Sequence, residues 1–386
     1  MIETPQSGRL HIVLAGARNS GKSSLLNALA GQQVSIVSDV PGTTTDHVSK
    51  AMEIMGLGPC LLIDTAGLDD SGELGGKRVG STLDTLRAAD LVLALVDAAT
   101  GHLPDLPDLD VPIVPVLAKC ELLNETEAEA LSASIAKKYG KAPVRVSAVT
   151  GKGIRELIEA IKEAIPADWD ALPLTAGVVQ EGDLVVLVMP QDKQAPKGRL
   201  ILPQQQTIRE LLDRKCRVVC CTTDCLPATL ASLKEAPKAI ITDSQDFRAV
   251  HDQCPSGTRL TSFSILLAAS KGDMDYFKES ARKIDALTSK SKVLIAEACA
   301  HVPASEDIGR VQLPRMLRAR AGEGLRIDVV SGRDFPEDLS GYDLVIHCGA
   351  CMFNRRYVLA RIQQAKRQGV PMTNYGVAIA HINNLL

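Results

Sequence analysis

A glycine-rich segment near the amino end, Gly16 to Ser23, restricts the fold of this chain more than any other part of its sequence. Its residues, GARNSGKS, match G-x-x-x-x-G-K-[ST], the pattern of a phosphate-binding loop. The strand-like run LHIVLA precedes it and the helix-like run SSLLNALAG follows it. In such a loop, backbone N–H groups surround a phosphate at a helix N-terminus, which requires a strand, a tight turn and a helix. The chain is therefore expected to begin with an α/β nucleotide-binding unit.

The rest of the chain continues the alternation of strand-like and helix-like stretches. Apolar runs such as CLLI, LVLALVDA, IVPVLAK and VRVSA predict a mostly parallel sheet in the first block. A proline-containing stretch between Pro166 and Pro173 interrupts the pattern. Two smaller α/β blocks follow, the last with predicted helices near Leu313 to Ala321 and Asn354 to Gln368. At 386 residues the chain is too long for one core, so we expect three domains, over residues 1–168, 174–268 and 269–386.

Composition and charge exclude several classes of protein. The net charge is −3, no long basic tract occurs, and aromatic residues make up only 3 % of the chain, all of which argue against nucleic acid and membrane surfaces as partners. No apolar run approaches the roughly 18 residues that span a bilayer, and the start lacks the pattern of a signal peptide. We therefore expect a cytoplasmic protein whose ten cysteines are reduced thiols or metal ligands.

A second motif supplies the metal side of the nucleotide site. Asp64-Thr-Ala-Gly67 ends the apolar run CLLI, so that Asp64 would hold Mg²⁺ through a water and the Gly67 N–H would contact the γ-phosphate. Lys22 would place its charge on the β and γ phosphates, and Ser23 would ligate Mg²⁺. Thr44, in the segment PGTTTD between the motifs, would supply a second hydroxyl ligand.

Together these motifs resemble the translation-factor-related GTPases, in the branch that includes the tRNA-modification GTPase MnmE and the ribosome-assembly GTPase Era. The resemblance implies that Thr44 is the metal ligand of the switch, that Asn19 coordinates K⁺, and that Ser147-Ala148 contacts the base. Leu68 stands where Ras-like enzymes have the water-orienting glutamine, which implies slow, K⁺-stimulated hydrolysis. The residues assigned to catalysis are Lys22, Thr44, Asp64 and Gly67, and those assigned to GTP or GDP are Gly16, Asn19, Ser20, Gly21, Lys22, Ser23, Ser24, Thr44, Asp64, Lys119, Glu121, Ser147 and Ala148.

The base-recognition motif departs from that family. The expected N-K-x-D reads Ala118-Lys119-Cys120-Glu121, which lacks the asparagine amide and lengthens the acid by one methylene. Glu121 can still accept hydrogen bonds from guanine N1 and N2, and Lys119 can still cover the base. We therefore predict GTP over ATP, with weakened affinity.

Cysteines and histidines at two predicted strand ends form a second candidate site. Cys299-Ala-His301 follows KVLIAEA, and His347-Cys348-Gly-Ala-Cys351 follows DLVI. Because ligands collect at the carboxyl ends of parallel strands, the two groups are expected to converge. Three thiolates suit either zinc or an iron–sulfur cluster, and C-x-x-C alone also suits a redox dithiol. The residues leave these readings open.

The order of C-x-H, about 45 residues and H-C-x-x-C behind a GTPase domain resembles the HydF family of FeFe-hydrogenase maturation GTPases. The likeness extends to APKGRLILPQ, TSFSILLA and EDIGRV. It implies a P-loop GTPase domain, a dimerisation domain and a domain in which Cys299, Cys348 and Cys351 ligate a 4Fe-4S cluster. The fourth iron would be exchangeable, with His301, His347 or Glu306 as candidate ligands.

The same resemblance implies a scaffold that receives a two-iron subcluster precursor made by the radical-SAM maturases HydE and HydG. The scaffold, a homodimer, would transfer the precursor to apo FeFe-hydrogenase. Two alternatives stay open: a GTPase of RNA modification or ribosome assembly with structural zinc, and a redox enzyme that uses Cys348 and Cys351. The remaining cysteines, Cys60, Cys120, Cys216, Cys220, Cys221, Cys225 and Cys254, are predicted to pack in cores.

Overall fold

The structure is a computed structural model of the chain. It describes residues 6–31, 35–40, 48–54, 57–65, 82–165, 173–189, 200–298, 308–332 and 334–385. The chain divides into two compact units, residues 1–170 and 171–386.

The first unit is built on a seven-stranded sheet with strand order β2-β3-β4-β1-β5-β6-β7. Strands β1, β4, β5, β6 and β7 run parallel, while β2 and β3 join the edge as antiparallel neighbours. The apolar runs form the central strands because both faces of a parallel sheet are covered by helices. The strands are β1 (Leu10–Ala15), β2 (Ser35–Val40), β3 (Val48–Ile54), β4 (Gly58–Asp64), β5 (Leu91–Asp97), β6 (Ile113–Ala118) and β7 (Val144–Val146).

Four described helices belong to this unit: α1 (Lys22–Gly31), α2 (82–87), α3 (Glu125–Tyr139) and α4 (Ile154–Ala164). A capping box begins α3, in which Asn124 and Glu127 each accept a hydrogen bond from the other's backbone N–H. Gly153 begins α4 with φ +78°, and a Cβ atom there would overlap the carbonyl oxygen of Arg145. Only glycine permits this close approach of α4 to the end of β7.

The second unit holds two smaller sheets, and all their strand pairs are parallel. In the first, the order is β11-β10-β8-β9. Its elements are β8 (Leu184–Val188), α5 (Leu202–Asp213), β9 (Arg217–Cys221), α6 (Leu226–Ser232), β10 (Ala239–Thr242), α7 (Phe247–His251), β11 (Arg259–Ser262) and α8 (Phe263–Lys271).

The last sheet has the order β13-β12-β14-β15. Its elements are α9 (Met274–Ala281), β12 (Lys292–Glu297), α10 (Leu313–Ala321), β13 (Arg326–Ser331), β14 (Leu344–His347), α11 (Arg355–Arg367), β15 (Met372–Asn374) and α12 (Tyr375–Ile382). Helix α8 packs against both α11 and α12, so the two sheets of this unit share contacts. The predicted α/β class, with two smaller parallel sheets after the first domain, is confirmed.

The cysteines outside the candidate site differ in their surroundings. Cys60 and Cys216 are buried, as predicted, but Cys220 and Cys225 are exposed. The prediction of core packing was wrong for both: Cys220 lies on β9 at the edge of its sheet, and Cys225 lies in the 3₁₀ turn Thr223–Cys225 that follows. No helix in the described ranges is long and apolar enough to cross a membrane.

Candidate nucleotide site and cysteine site

The phosphate-binding loop lies between β1 and α1, where its motif requires it. Asn19 and Gly21 both have positive φ, at 62° and 92°, which curls the backbone into a cradle. A Cβ atom at Gly16 would lie 2.9 Å from the carbonyl oxygen of Leu95, so the loop can approach β5 only with glycine at this position. The Ser20 side chain is 1 % exposed, and its hydroxyl has no hydrogen-bond partner among the described residues. The cradle therefore fits an anion.

Lys22 points back into this loop. Its Nζ atom donates to the carbonyl oxygens of Gly16 at 3.0 Å and Ala17 at 2.8 Å. The side chain is buried, so its charge is held inside the cradle rather than in solvent. A buried ammonium at this place is complementary to the phosphates of a nucleotide.

The predicted Mg²⁺ ligands meet at the start of α1. The Ser23 hydroxyl donates to Oδ2 of Asp64, which ends β4. Asp64 is buried, and its other oxygen, Oδ1, has no hydrogen-bond partner within the described ranges. An unpaired buried carboxylate oxygen beside a hydroxyl is a donor set that suits Mg²⁺. Thr44 and Gly67, predicted to complete this site, lie outside the described residues.

Lys119 joins the phosphate loop to the predicted base site. It follows β6 with a left-handed backbone, φ 60°. Its Nζ donates to the carbonyl oxygen of Asn19 at 2.7 Å and to Oδ2 of Asp97 at 2.8 Å. The sequence reasoning missed Asp97, although its place at the carboxyl end of β5, next to β6, was a signal. Asp97 therefore holds the Lys119 ammonium group beside the phosphate-binding loop.

The other predicted base contacts follow the neighbouring strands β6 and β7, which pair with Ala118 opposite Val146. Glu121 is exposed in a single 3₁₀ turn, Cys120–Leu122. Ser147 is fully buried, and its hydroxyl accepts from the Thr150 N–H at 3.2 Å, which holds Ala148 in a tight turn. Both segments lie at the carboxyl edge of the sheet, as nucleotide-binding segments do.

At the second site, Cys348 follows β14 and lies beside the end of β12. Its Sγ atom accepts hydrogen bonds from the backbone N–H of Ala298 at 3.0 Å and of Ala350 at 3.4 Å. Ala298, at the carboxyl end of β12, is the last described residue before Cys299. Burial raises the pKa of the Cys348 thiol, and the two N–H groups oppose that rise. A bound metal would hold the sulfur as thiolate.

His347 is buried with both ring nitrogens engaged. Nδ1 lies 2.7 Å from the carbonyl oxygen of Cys348, and Nε2 lies 2.9 Å from a guanidinium nitrogen of Arg361. Burial and the Arg361 charge lower the pKa of the imidazole to about 3. The ring is therefore neutral, donating from Nδ1 and accepting at Nε2. His347 would have to give up one of these bonds to ligate iron, so the geometry favours a structural role.

The other predicted cluster residues are only partly covered. Cys351 is half-buried in the loop after β14. Cys299, His301 and Glu306 lie outside the described residues. Within the ranges that the structure covers, no three metal-binding side chains come together. The C-x-x-C loop alone thus offers two of the three predicted thiolates.

Comparison with known families divides the chain into three matched segments. The model of the hydrogen maturase F tetramerization domain matches residues 275–386, and that of the hydrogen maturase F dimerization domain matches residues 174–272. The model of the 50S ribosome-binding GTPase matches residues 11–122. The three segments follow one another along the chain, and residues 123–173 lie between the first and the second.

Two curated proteins are similar to part of the chain. The tRNA modification GTPase MnmE of Methylobacterium radiotolerans is 43 % identical over 154 residues, which are 40 % of this chain and 32 % of that protein. MnmE of Chromobacterium violaceum is 37 % identical over 157 residues, or 40 % of this chain and 35 % of that one. The chain thus spans about a third of the length of these relatives.

Two solved structures are similar over part of the chain. A variant of Era from Aquifex aeolicus, bound to GDP and AlF₄⁻, is 21 % identical with a TM-score of 0.35, covering 55 % of this chain and 93 % of that one. The cytosolic domain of the T. maritima FeoB iron transporter in a GDP form is 27 % identical with a TM-score of 0.31, covering 40 % and 63 %.

Proposed function

The chain belongs to the hydrogen maturase F family, and from this membership we propose that it is a GTPase scaffold for FeFe-hydrogenase maturation. In this proposal it holds a 4Fe-4S cluster and a two-iron subcluster precursor, and it transfers the precursor to apo-hydrogenase in the cytoplasm. The observation that carries the proposal is the succession of a GTPase match and two hydrogen maturase F matches along one chain.

The first domain is a GTPase domain that binds GTP or GDP with Mg²⁺. Lys22 neutralises the phosphates, while Ser23 and Asp64 hold the metal beside them. We further propose that hydrolysis is slow and stimulated by K⁺ bound at Asn19, with Thr44 ligating Mg²⁺ and the Gly67 N–H contacting the γ-phosphate. GTP would act as a switch, changing the affinity for a partner by a coupling free energy of about 1–3 kcal/mol.

The proposed cluster ligands are Cys299, Cys348 and Cys351. The surroundings of Cys348 support this, because two backbone N–H groups already point at its sulfur, and such bonds are among the means by which proteins stabilise iron–sulfur clusters. Three thiolates leave one iron free for an exchangeable ligand. Of the candidates, His301 and Glu306 remain proposals, and His347 is disfavoured by its bonds to Cys348 and Arg361.

The partners would be the radical-SAM maturases HydE and HydG, which supply the precursor, and the apo FeFe-hydrogenase, which receives it. The matched dimerization and tetramerization domains indicate that the chain forms oligomers. We propose that the middle domain forms a homodimer.

A GTPase of RNA modification with structural zinc is the competing proposal. The similarity to MnmE favours this competing proposal, but it covers only 40 % of the chain. The remaining domains match a different family, which favours the maturation scaffold.

Transfer to apo-hydrogenase tests the proposal directly. The chain would be purified anaerobically after co-expression with HydE and HydG, then mixed with apo-hydrogenase, and hydrogen evolution would be measured. We expect activation by this preparation and none by the chain expressed alone. The scaffold role would be overturned if neither preparation activated an apo-hydrogenase that a synthetic two-iron precursor does activate.

A further inference from the structure

A buried lysine of the middle domain, which the dimerization match extends to residue 272, contacts the C-x-x-C loop of the last domain. Lys271 is the final residue of α8 and is 4 % exposed. Its Nζ donates to the carbonyl oxygens of Ala350 and Phe353, both at 2.8 Å. Lys271 falls within the segment matched by the dimerization model, whereas its acceptors fall within that of the tetramerization model. One side chain thus ties the cysteine loop to the neighbouring domain.

The loop it holds has an unusual backbone. Ala350, between the two cysteines, has φ 47°, a left-handed conformation that is costly for a residue with a Cβ atom and persists only where the surroundings impose it. The Ala350 N–H bonds the Cys348 sulfur at 3.4 Å. The Ala350 carbonyl accepts from both Lys271 and the Phe353 N–H, the latter at 3.0 Å. Lys271 therefore binds the carbonyl group of Ala350, the residue whose N–H donates to the Cys348 sulfur.

Burying an ammonium group is unfavourable unless its hydrogen bonds are satisfied. Two hydrogen bonds of the Lys271 ammonium group go to the loop after β14. Side chains that orient metal ligands in this way commonly change metal affinity by about 10- to 100-fold when removed. A fixed positive charge near an anionic cluster also favours its reduced form, because net charge and hydrogen bonding set cluster potentials.

We propose that Lys271 is a positioning residue for the iron–sulfur site: it fixes the Cys348–Cys351 loop and places a positive charge beside it. The middle domain would then be part of the cluster's surroundings as well as an oligomerisation element. This inference rests on the proposed cluster function.

The test compares Lys271→Met with Lys278→Met, which removes an exposed lysine from α9. Both full-length variants would be reconstituted anaerobically with iron and sulfide. Midpoint potential would be followed by EPR, and iron loss by a chelator. We expect Lys271→Met to lose iron about tenfold faster and to shift to a more negative potential, while Lys278→Met matches the wild type. Equal behaviour of the two variants would overturn the proposal.

A second variant and a metal-free measurement keep the test decisive. Lys271→Gln retains a hydrogen-bond donor but not the charge. It should therefore lose iron more slowly than Lys271→Met, yet show the same shift to a more negative midpoint potential. It replaces Lys271→Met in the test if the methionine variant does not fold. Hydrogen exchange of the loop amides 348–353 in the apo-protein should quicken in both variants. If the wild type takes up no cluster, the cluster function fails, whereas unchanged exchange in the variants would reject the anchoring role by itself.

Discussion

Asp64 is the residue on which the proposed magnesium site most depends. Its buried carboxylate accepts a hydrogen bond from Ser23, and its Oδ1 atom has no hydrogen-bond partner among the residues that the structure describes. Replacing it by asparagine removes the charge with little change in shape. We expect Asp64→Asn to lower the apparent Mg²⁺ affinity by about 10- to 100-fold, measured as the Mg²⁺ dependence of GTP hydrolysis. Asp105→Asn, at an exposed carboxylate, should leave that dependence unchanged; the same Mg²⁺ curve for both variants would contradict the assignment.

Glu121 is the residue that we propose determines base preference. A charged hydrogen-bond partner is worth about 1.5–3 kcal/mol, so Glu121→Ala should weaken GTP binding by about 10- to 100-fold and leave ATP binding as it was. Competition binding with both nucleotides measures this, with the exposed Glu129→Ala as the control. A parallel loss for GTP and ATP would show that Glu121 does not read guanine.

Individual residues could be predicted from the sequence where they belong to a contiguous motif. Gly16 to Ser23 needs only local geometry, and the structure places it as expected. Asp97 and Lys271 could not be found in this way, because their partners are 22 and 79 or more residues away along the chain. Only the folded sheets bring those groups together.

Among the elements, α4 depends on a glycine at its start. Ala at Gly153 would combine positive φ with overlap of the Arg145 carbonyl, while Ala at Gly140, which ends α3, meets nothing within 4 Å. Left-handed backbone costs an alanine about 1–2 kcal/mol, and the overlap adds to that. Hydrogen exchange should therefore quicken more for α4 in Gly153→Ala than for α3 in Gly140→Ala, each relative to wild type. An equal increase in exchange for α4 and α3 would mean that α4 can move away from β7 without loss of stability.

The edge strand β9 and the central strand β4 present cysteines differently. Burial raises the pKa of Cys60, on β4, to about 12, and Cys225, just after β9, is exposed. Because the thiolate is the reactive form, maleimide at neutral pH should label Cys225 readily and Cys60 only after unfolding. Peptide mass spectrometry identifies the sites. Labelling of Cys60 at the rate of Cys225 in the folded protein would contradict the described packing.

The same contrast explains which elements could be predicted. Central parallel strands are continuous apolar runs, and they were recognised together with α10 and α11. Strands β2 and β3 were missed because runs such as SIVSDV and VSKAMEI carry polar residues on an antiparallel edge. Conversely, the apolar run RVVCC predicts a buried strand, but it forms the edge strand β9. An apolar sequence alone does not determine whether a strand has one neighbouring strand or two.

In the whole molecule, the phosphate-binding loop belongs to the first compact unit, whereas Cys348 and Cys351 belong to the second. Sequence motifs predict both sites, because each uses residues of special chemistry at strand ends. They did not show that α8 of the middle domain contacts the cysteine loop, a contact that depends on packing between two sheets of the second unit.

The central claim is that Cys299, Cys348 and Cys351 hold a 4Fe-4S cluster, and anaerobic reconstitution with iron and sulfide followed by EPR of the reduced protein tests it most directly. A variant with all three changed to alanine would be compared with Cys220→Ala/Cys221→Ala/Cys225→Ala as the control. We expect a 4Fe-4S signal in the wild type and the control and its loss in the first variant. Stoichiometric zinc with no such signal would contradict it and favour the zinc GTPase.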